Sequence, residues 1–349
     1  MKILFYSDPH IREYGSFTPF NRIDSNGLTF ELNNVIKGFQ FIAERVIELE
    51  PDLVFCLGDI YHNQETIATR ALEAVHRCLI LVKSACDKLG IPHYAIPGQH
   101  DTYAEPSNGG GIFSIRALFG YFTKIFYEKC NEVIKDKHVD TAAMTGIIPY
   151  ISDPGQFYYS LVDLSQSSDL IVTHHDFAGA RYENGHISEA PTSPDSSVPI
   201  VSGDIHLPQS VGNVTFVGSL IQHKFQQNKL NSNGILFYDL EKGGFSRYFN
   251  NLSKHYVVVR DLEKLKDFNP SQVVLKVYSD LPREEVAPLL KDYEYEYFPE
   301  AKKSNEVKTV YTEFSSENPE AVLRGYIEKD NPDALEMYDQ VVGKRGKND

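Results

Sequence analysis

Five short apolar runs in this 349-residue chain each end in a small group of carboxylate, imidazole or amide side chains. Residues 2–6 lead into Ser7-Asp8-Pro9-His10, residues 53–57 into Gly58-Asp59-Ile60-Tyr61-His62, and residues 93–96 into Pro97-Gly98-Gln99-His100-Asp101. Residues 170–172 run into Thr173-His174-His175-Asp176, and residues 200–202 into Gly203-Asp204-Ile205-His206. Any one group has the composition of a turn or a cap, where Asp and Gly serve the local backbone. Five in series, each after an apolar run, point to one site at the carboxyl ends of sheet strands. Oxygen and imidazole donors from separate segments, with one carboxylate able to bridge, suit a pair of hard or borderline divalent ions. His76, His93, His138, His186, His223 and His255 lack this context and read as ordinary surface or core histidines.

The elements that must position these groups alternate between short apolar runs and helical stretches, the pattern of a layered α/β domain. Helices are expected over residues 32–49, with Val35, Phe39, Ile42 and Val46 on one face, and over 66–89, with Ala71, Val75, Leu79 and Val82 on one face and Gly90 as a stop. Further strands are expected at 214–217 and 235–238, and residues 181–198 read as a surface loop. Composition shifts near Asn250. Beyond it, strands at 255–260, 273–278 and 307–314 and a helix over 283–291 make a small α+β unit. Asn318-Pro319 and Asn331-Pro332 then announce two short helices, because Asn caps well and Pro suits the first helical position.

The balance of 34 Lys+Arg against 48 Asp+Glu gives a net charge of −14. Tight DNA binding through bulk charge is therefore excluded, since that affinity comes from Lys and Arg displacing counterions. A nucleic-acid role must rest on metal ions, a partner, or a local basic strip such as residues 224–229. Cys56, Cys78, Cys86 and Cys130 include no Cys-x-x-Cys spacing, so free thiols in a reducing compartment are expected. The start MKILFYSDPH has none of the features of a signal peptide, and no run approaches a membrane span. A soluble, cytoplasmic protein is expected.

The order Asp-x-His, Gly-Asp-x-x-His, Gly-x-His-Asp, His, Gly-x-x-His resembles the calcineurin-like metallophosphoesterases. Within them the chain looks like the SbcD branch, the DNA nuclease subunit that works with the SbcC ATPase. The pointers are Gly58-Asp59-x-x-His62, the run from Ile91-Pro92 to Pro97-Gly98, and Ile205-His206-x-Pro208-Gln209 followed by Val217-Gly218-Ser219. The resemblance implies a layered α/β/β/α sandwich over residues 1–250, a small α+β capping domain over 251–315, and a helical tail over 316–349 that clasps an SbcC-like ATPase. It implies two divalent ions, Mn²⁺ or Mg²⁺, one among Asp8, His10, Asp59 and His206 and one among Asp59, Gln99, His174 and Asp204. It further implies that His100 approaches the scissile phosphate, Asp101 orients it, and His62 positions the substrate strand, with His175 near the substrate or behind the ligands. A homodimer is also implied.

Two positions depart from the family pattern, which has Asn where this chain has Gln99 and His where it has Asp204. Both fall on the same metal, and both leave an oxygen donor for a hard ion. The function expected is that of a Mn²⁺-dependent DNA exonuclease, with endonuclease action near ends, in DNA recombination, repair or replication. Two other readings stay open: a phosphatase or phosphodiesterase of the same superfamily acting on small substrates, and a non-catalytic DNA-end scaffold with a degraded second metal site.

Overall fold

The computed structural model describes residues 1–13, 23–62, 68–104, 111–135, 142–193, 195–225 and 232–300. The expected strand at 307–314, the tail helices, most of the 224–229 strip and the start of the second helix lie outside them. The chain divides into Met1–Pro299 and Glu300–Asp349.

In chain order the described elements begin with β1 (Lys2–Tyr6), α1 (Phe30–Leu49), β2 (Leu53–Cys56), α2 (Thr69–Leu89), β3 (His93–Ala95), β4 (Thr102–Ala104), β5 (Gly111–Phe113) and β6 (Lys124–Ile125). There follow β7 (Cys130–Lys135), β8 (Ala142–Ile148), α3 (Pro154–Ser165), β9 (Leu170–Thr173), β10 (Ile200–Ser202), β11 (Gln209–Val211) and β12 (Val214–Phe216). The last are β13 (Gly234–Asp239), β14 (Gly244–Phe249), β15 (His255–Val259), β16 (Val273–Ser279), α4 (Arg283–Val286) and β17 (Glu294–Pro299).

Two six-stranded sheets carry the site, in the orders β14-β13-β1-β2-β3-β6 and β11-β12-β10-β9-β8-β7. In the first, β1, β2, β3 and β6 run parallel and antiparallel β13 and β14 close one side; in the second, a parallel centre is flanked on both sides by antiparallel strands. Because successive side chains point to opposite faces, Ile3 and Phe5 of β1 and Leu53 and Phe55 of β2 meet Leu170, Val172 and Val201 between the sheets. Leu4, Tyr6, Val54 and Cys56 point the other way, against Leu32, Val35, Phe39 and Ile42 of α1 and Val75, Leu79 and Val82 of α2. On the outer face of the second sheet, Ile171, Ile200 and Phe216 pack against Phe157, Leu161 and Leu164 of α3. The layers are α/β/β/α, as expected from the sequence.

The helices begin and end where local chemistry dictates. Thr29 caps α1 by accepting from Leu32 N, and Glu50 closes it in the left-handed region. Gly90 closes α2. Asp153 caps α3 by accepting from Gln156 N, with Pro154 next to it. Register matters because both faces of β1 and β2 are apolar. A one-residue slip would leave both faces buried but move Asp8 about 3.3 Å along Asp59's strand. The pairing Ile3↔Leu53 to Tyr6↔Cys56, continued by Asp8 N to Gly58 O at 3.1 Å, prevents it.

After Asn250 the parallel sheet β15-β16-β17 encloses its own core of Val257, Leu275, Val277, Val286 and Leu290. The helix expected over 283–291 is shorter: α4 stops at Val286. Pro288 has no N–H to donate and clashes with the preceding turn, and Leu289 and Leu290 bond three residues back, to Val286 and Ala287. All four cysteines are free; Cys56, Cys78 and Cys86 are buried and Cys130 is half-buried.

Candidate metal centre

The five strand-end groups converge. Asp8 and His10 follow β1, Asp59 and His62 follow β2, Gln99, His100 and Asp101 follow β3, His174 follows β9, and Asp204 and His206 follow β10. Asp8, His10 and His206 offer ligand atoms within 4.8 Å of one another, as do Asp8, Asp59 and His174. His174 Nε2 lies 3.5 Å from Asp59 Oδ2, 4.0 Å from Asp8 Oδ1 and 3.9 Å from Asp204 Oδ1. His10 Nε2 lies 2.9 Å from His206 Nε2 and 3.5 Å from Asp59 Oδ2. Asp59 therefore stands between the two sets.

The backbone is strained where these side chains leave it. Asp8, His10, Asp59 and Asp204 have φ of 52°, 43°, 54° and 75°. Such residues cost about 1–3 kcal/mol each and persist only where the surroundings fix them. Here a ladder fixes them: His10 N donates to Asp59 O at 3.0 Å and Ile11 N to Ile60 O at 2.8 Å. Gly98 is required for a different reason. A Cβ there would stand 2.3 Å from Asp59 Oδ1 and 2.7 Å from His174 Cε1.

Several buried ligand atoms lack a hydrogen-bond partner. Both oxygens of Asp8 and the Nε2 of His174 have no hydrogen-bond partner although the residues are buried. An orphaned buried polar group costs about 1–3 kcal/mol, and more when charged, so these atoms fit a divalent cation set. Burial pushes the Asp8 carboxyl up, with His174 and His206 opposing. Burial also opposes charge on Asp59, but His174 and the His100 N–H together hold it below the ordinary carboxylate range. His174 is resisted by burial and still raised well above an ordinary imidazole by Asp59, Asp8 and Asp204. The three carboxylates thus favour positive charge at this point. Burial pushes Asp204 up to about 6.

The neighbouring groups are held as firmly. His100 donates its backbone N–H to Asp59 Oδ1 at 2.7 Å, and its ring Nδ1–H donates to His62 O at 2.6 Å. The His62 and His100 rings stack at 5.7 Å. The buried Asp101 carboxylate accepts from Ile60 N at 3.0 Å, Tyr61 N at 3.3 Å and Gly98 N at 3.1 Å, so it ties the loop after β2 to the loop after β3. Burial and the nearby Asp59 push it up to about 7. His100 also shares a ligand-distance set with His10 and Asp59. Gln99 is exposed and lines a cavity with Asp204. His175 is a packing group: it accepts from Ile151 N at 2.9 Å and stacks on Phe157 at 3.7 Å.

Sequence reasoning missed several contributors. His223, read as an ordinary histidine, donates Nε2–H to Asp8 O at 2.8 Å and sets its ring edge against His10 and His206. The signal was present, since His223 lies in the segment that follows β12, which ends at Phe216, as the other groups lie after their strands. Arg12 reaches His62 Nε2 at 3.3 Å and His223 O at 3.1 Å while paired with Glu31 at 2.9 Å. Glu31 in turn accepts from the Tyr256 hydroxyl of β15. Glu183 approaches His206 Nδ1 at 3.7 Å. None of these pairings has a short-range spacing that a sequence could show.

A model of the calcineurin-like phosphoesterases matches residues 1–208. The chain belongs to that family. No curated protein matches it. As a calcineurin-like phosphoesterase it is a metal-dependent hydrolase of a family that binds two divalent ions, and its Asp and His sets fit that chemistry. The match spans β1 to the segment after His206, which is the stretch that supplies every candidate ligand. No described helix is long and apolar enough to cross a membrane.

Proposed function

We propose that this phosphoesterase is the nuclease subunit of an SbcCD-like complex, a Mn²⁺- or Mg²⁺-dependent exonuclease with endonuclease action near DNA ends. The observation that carries the phosphodiesterase reading is the buried Asp8, Asp59 and His174 set with its orphaned donors. The choice of DNA is supported by the motif order and by the extra sheet and tail beyond residue 250. In this reading residues 251–315 cap the nuclease, residues 316–349 clasp an SbcC-like ATPase, and the complex works in the cytoplasm in DNA recombination, repair or replication, with a homodimer as its core.

Asp8, His10, Asp59 and His206 would hold one ion, and Asp59, Gln99, His174 and Asp204 the other. Divalent ions bound there supply Lewis acidity to the phosphate and to the attacking water. The chain does the rest. The His62 carbonyl fixes the His100 ring through Nδ1–H, which leaves Nε2 to face the leaving oxygen and handle its proton. Asp101 keeps the loops that carry Asp59 and His100 at fixed separation.

The test is cleavage of end-labelled linear duplex by the purified full-length chain in Mn²⁺. Cleavage that disappears with Asp59→Ala and falls about 10²- to 10⁴-fold with His100→Ala supports the reading. Hydrolysis of nitrophenyl phosphate without DNA cleavage would overturn the DNA part, and full activity in either variant would overturn the site.

A further inference from the structure

The two positions that depart from the family pattern, Gln99 and Asp204, both line one cavity of about 300 Å³. It begins where the metal set ends, because Asp204 Oδ1 stands 3.9 Å from His174 Nε2. Its lining also includes Tyr150, Asp176, Tyr182 and Thr192. Tyr150 belongs to a column of three rings: it stacks on His175 at 5.2 Å and 17°, and His175 stacks on Phe157 at 3.7 Å and 18°. With His175 and Phe157 buried, that wall is rigid. Across the lining, the Tyr182 hydroxyl and Ser188 Oγ both donate to Asp176 Oδ2 at 2.8 Å. Oδ1 of Asp176 is left uncommitted among the described residues.

We propose that this cavity is a nucleobase pocket that takes an amino-bearing base, from the nucleotide whose phosphate meets the metal set. The proposal rests on the phosphodiester reading above and adds a base preference to it. Volume, walls and polarity agree. About 300 Å³ is the lower end of small-molecule pockets, fit for a nucleoside and too small for a duplex. Aromatic faces receive bases regardless of sequence. The polar lining sets the carboxylates of Asp176 and Asp204 among the hydroxyls of Tyr150, Ser152, Tyr182 and Thr192. Carboxylates and amides accept from the exocyclic amines of cytosine and adenine, which thymine lacks. Asp204 brings a carboxylate to the end of the cavity nearest His174. A base can enter only when unpaired, which fits a frayed or single-stranded end.

The experiment uses the full-length chain in EDTA with uncharged deoxynucleosides, read by ligand-observed NMR. Deoxycytidine and deoxyadenosine bind several-fold more tightly than thymidine. Tyr150→Leu weakens all three by about 5- to 150-fold, the range of one base–aromatic stack. Asp176→Asn, which keeps an oxygen for Tyr182 and Ser188, brings the cytidine-to-thymidine ratio toward one and serves if the Tyr150 variant does not fold. Equal binding of all three nucleosides, no binding at all, or unchanged affinities in both variants would overturn the proposal. Metal and turnover are absent from this measurement, so a failure to cut DNA in Mn²⁺ would strike the functional reading and leave the nucleoside result standing.

Discussion

The backbone N–H of His100 donates to Asp59 Oδ1 at 2.7 Å, which leaves Asp59 Oδ2 at 3.5 Å from both His10 Nε2 and His174 Nε2. One carboxylate is divided between holding a loop and facing two imidazoles. Asp59→Asn keeps an acceptor for His100 and removes the charge. Its metal-free melting temperature should fall below that of the parent, because the folded protein, against the opposing effect of burial, favours the charged form of Asp59 through His174 and the His100 N–H. The parent should gain about 2.7 kcal/mol at a Mn²⁺ concentration of 100 times Kd, and the variant far less. Scanning calorimetry with and without Mn²⁺ checks this; equal shifts in both proteins would contradict it.

Metal affinity should fall steeply as pH falls. His174 is raised well above the ordinary imidazole range by Asp59, Asp8 and Asp204, against the opposing effect of burial. Its proton must leave before Nε2 can take an ion, so binding releases protons and weakens toward acid. Titration calorimetry in buffers of different ionisation enthalpy should find net proton release. A pH-independent Kd between pH 6 and 8 would contradict the assignment.

Arg12 and Glu31 form a pair whose side chains are 12% and 10% exposed. Removing one partner of such a pair leaves a buried charge, with a cost of about 3 kcal/mol. Arg12→Met should lower stability by that amount, and Arg12→Met with Glu31→Gln should recover most of it. Urea denaturation of the parent, Arg12→Met, Glu31→Gln and the double variant tests the difference. Losses that simply add would show that the two residues are independent.

What the sequence revealed of the centre is the part written locally. A strand's end and the two or three residues after it are adjacent in the chain, so Asp8, Asp59, His174, Asp204 and their glycines could be read directly. Glu31 meets Tyr256 across 225 residues and Arg12 across 19, and no spacing records either contact. Some local signals were legible and not used. Asp153-Pro154 starts α3 by the same chemistry as the expected Asn-Pro caps of the tail, and Pro288 forbids the longer helix after residue 283. Strand β17, with the sequence EYEYFP, alternates as a half-buried strand should.

Two buried histidines, His93 packed against Phe122 and His175 against Phe157, should make the fold acid-sensitive. Burial pushes both His93 and His175 down to about 3. Their unfolded forms titrate near 6.5, so between about pH 6.5 and 3 the unfolded chain binds protons that the native chain does not. Stability therefore rises with pH through that window and is fully present above it. Histidine C2–H resonances, assigned with His93→Gln and His175→Asn, should stay unprotonated at pH 5 in the folded protein. Midpoints near 6.5 for these two residues would contradict the packing described.

The central claim is that the strand ends build a centre for two ions around a shared Asp59. Anomalous diffraction from crystals grown in Mn²⁺ tests it most directly. Two peaks are predicted, one against Asp8, His10 and His206 and one against His174 and Asp204, with Asp59 reaching both. A single peak, or none at saturating Mn²⁺, would contradict it.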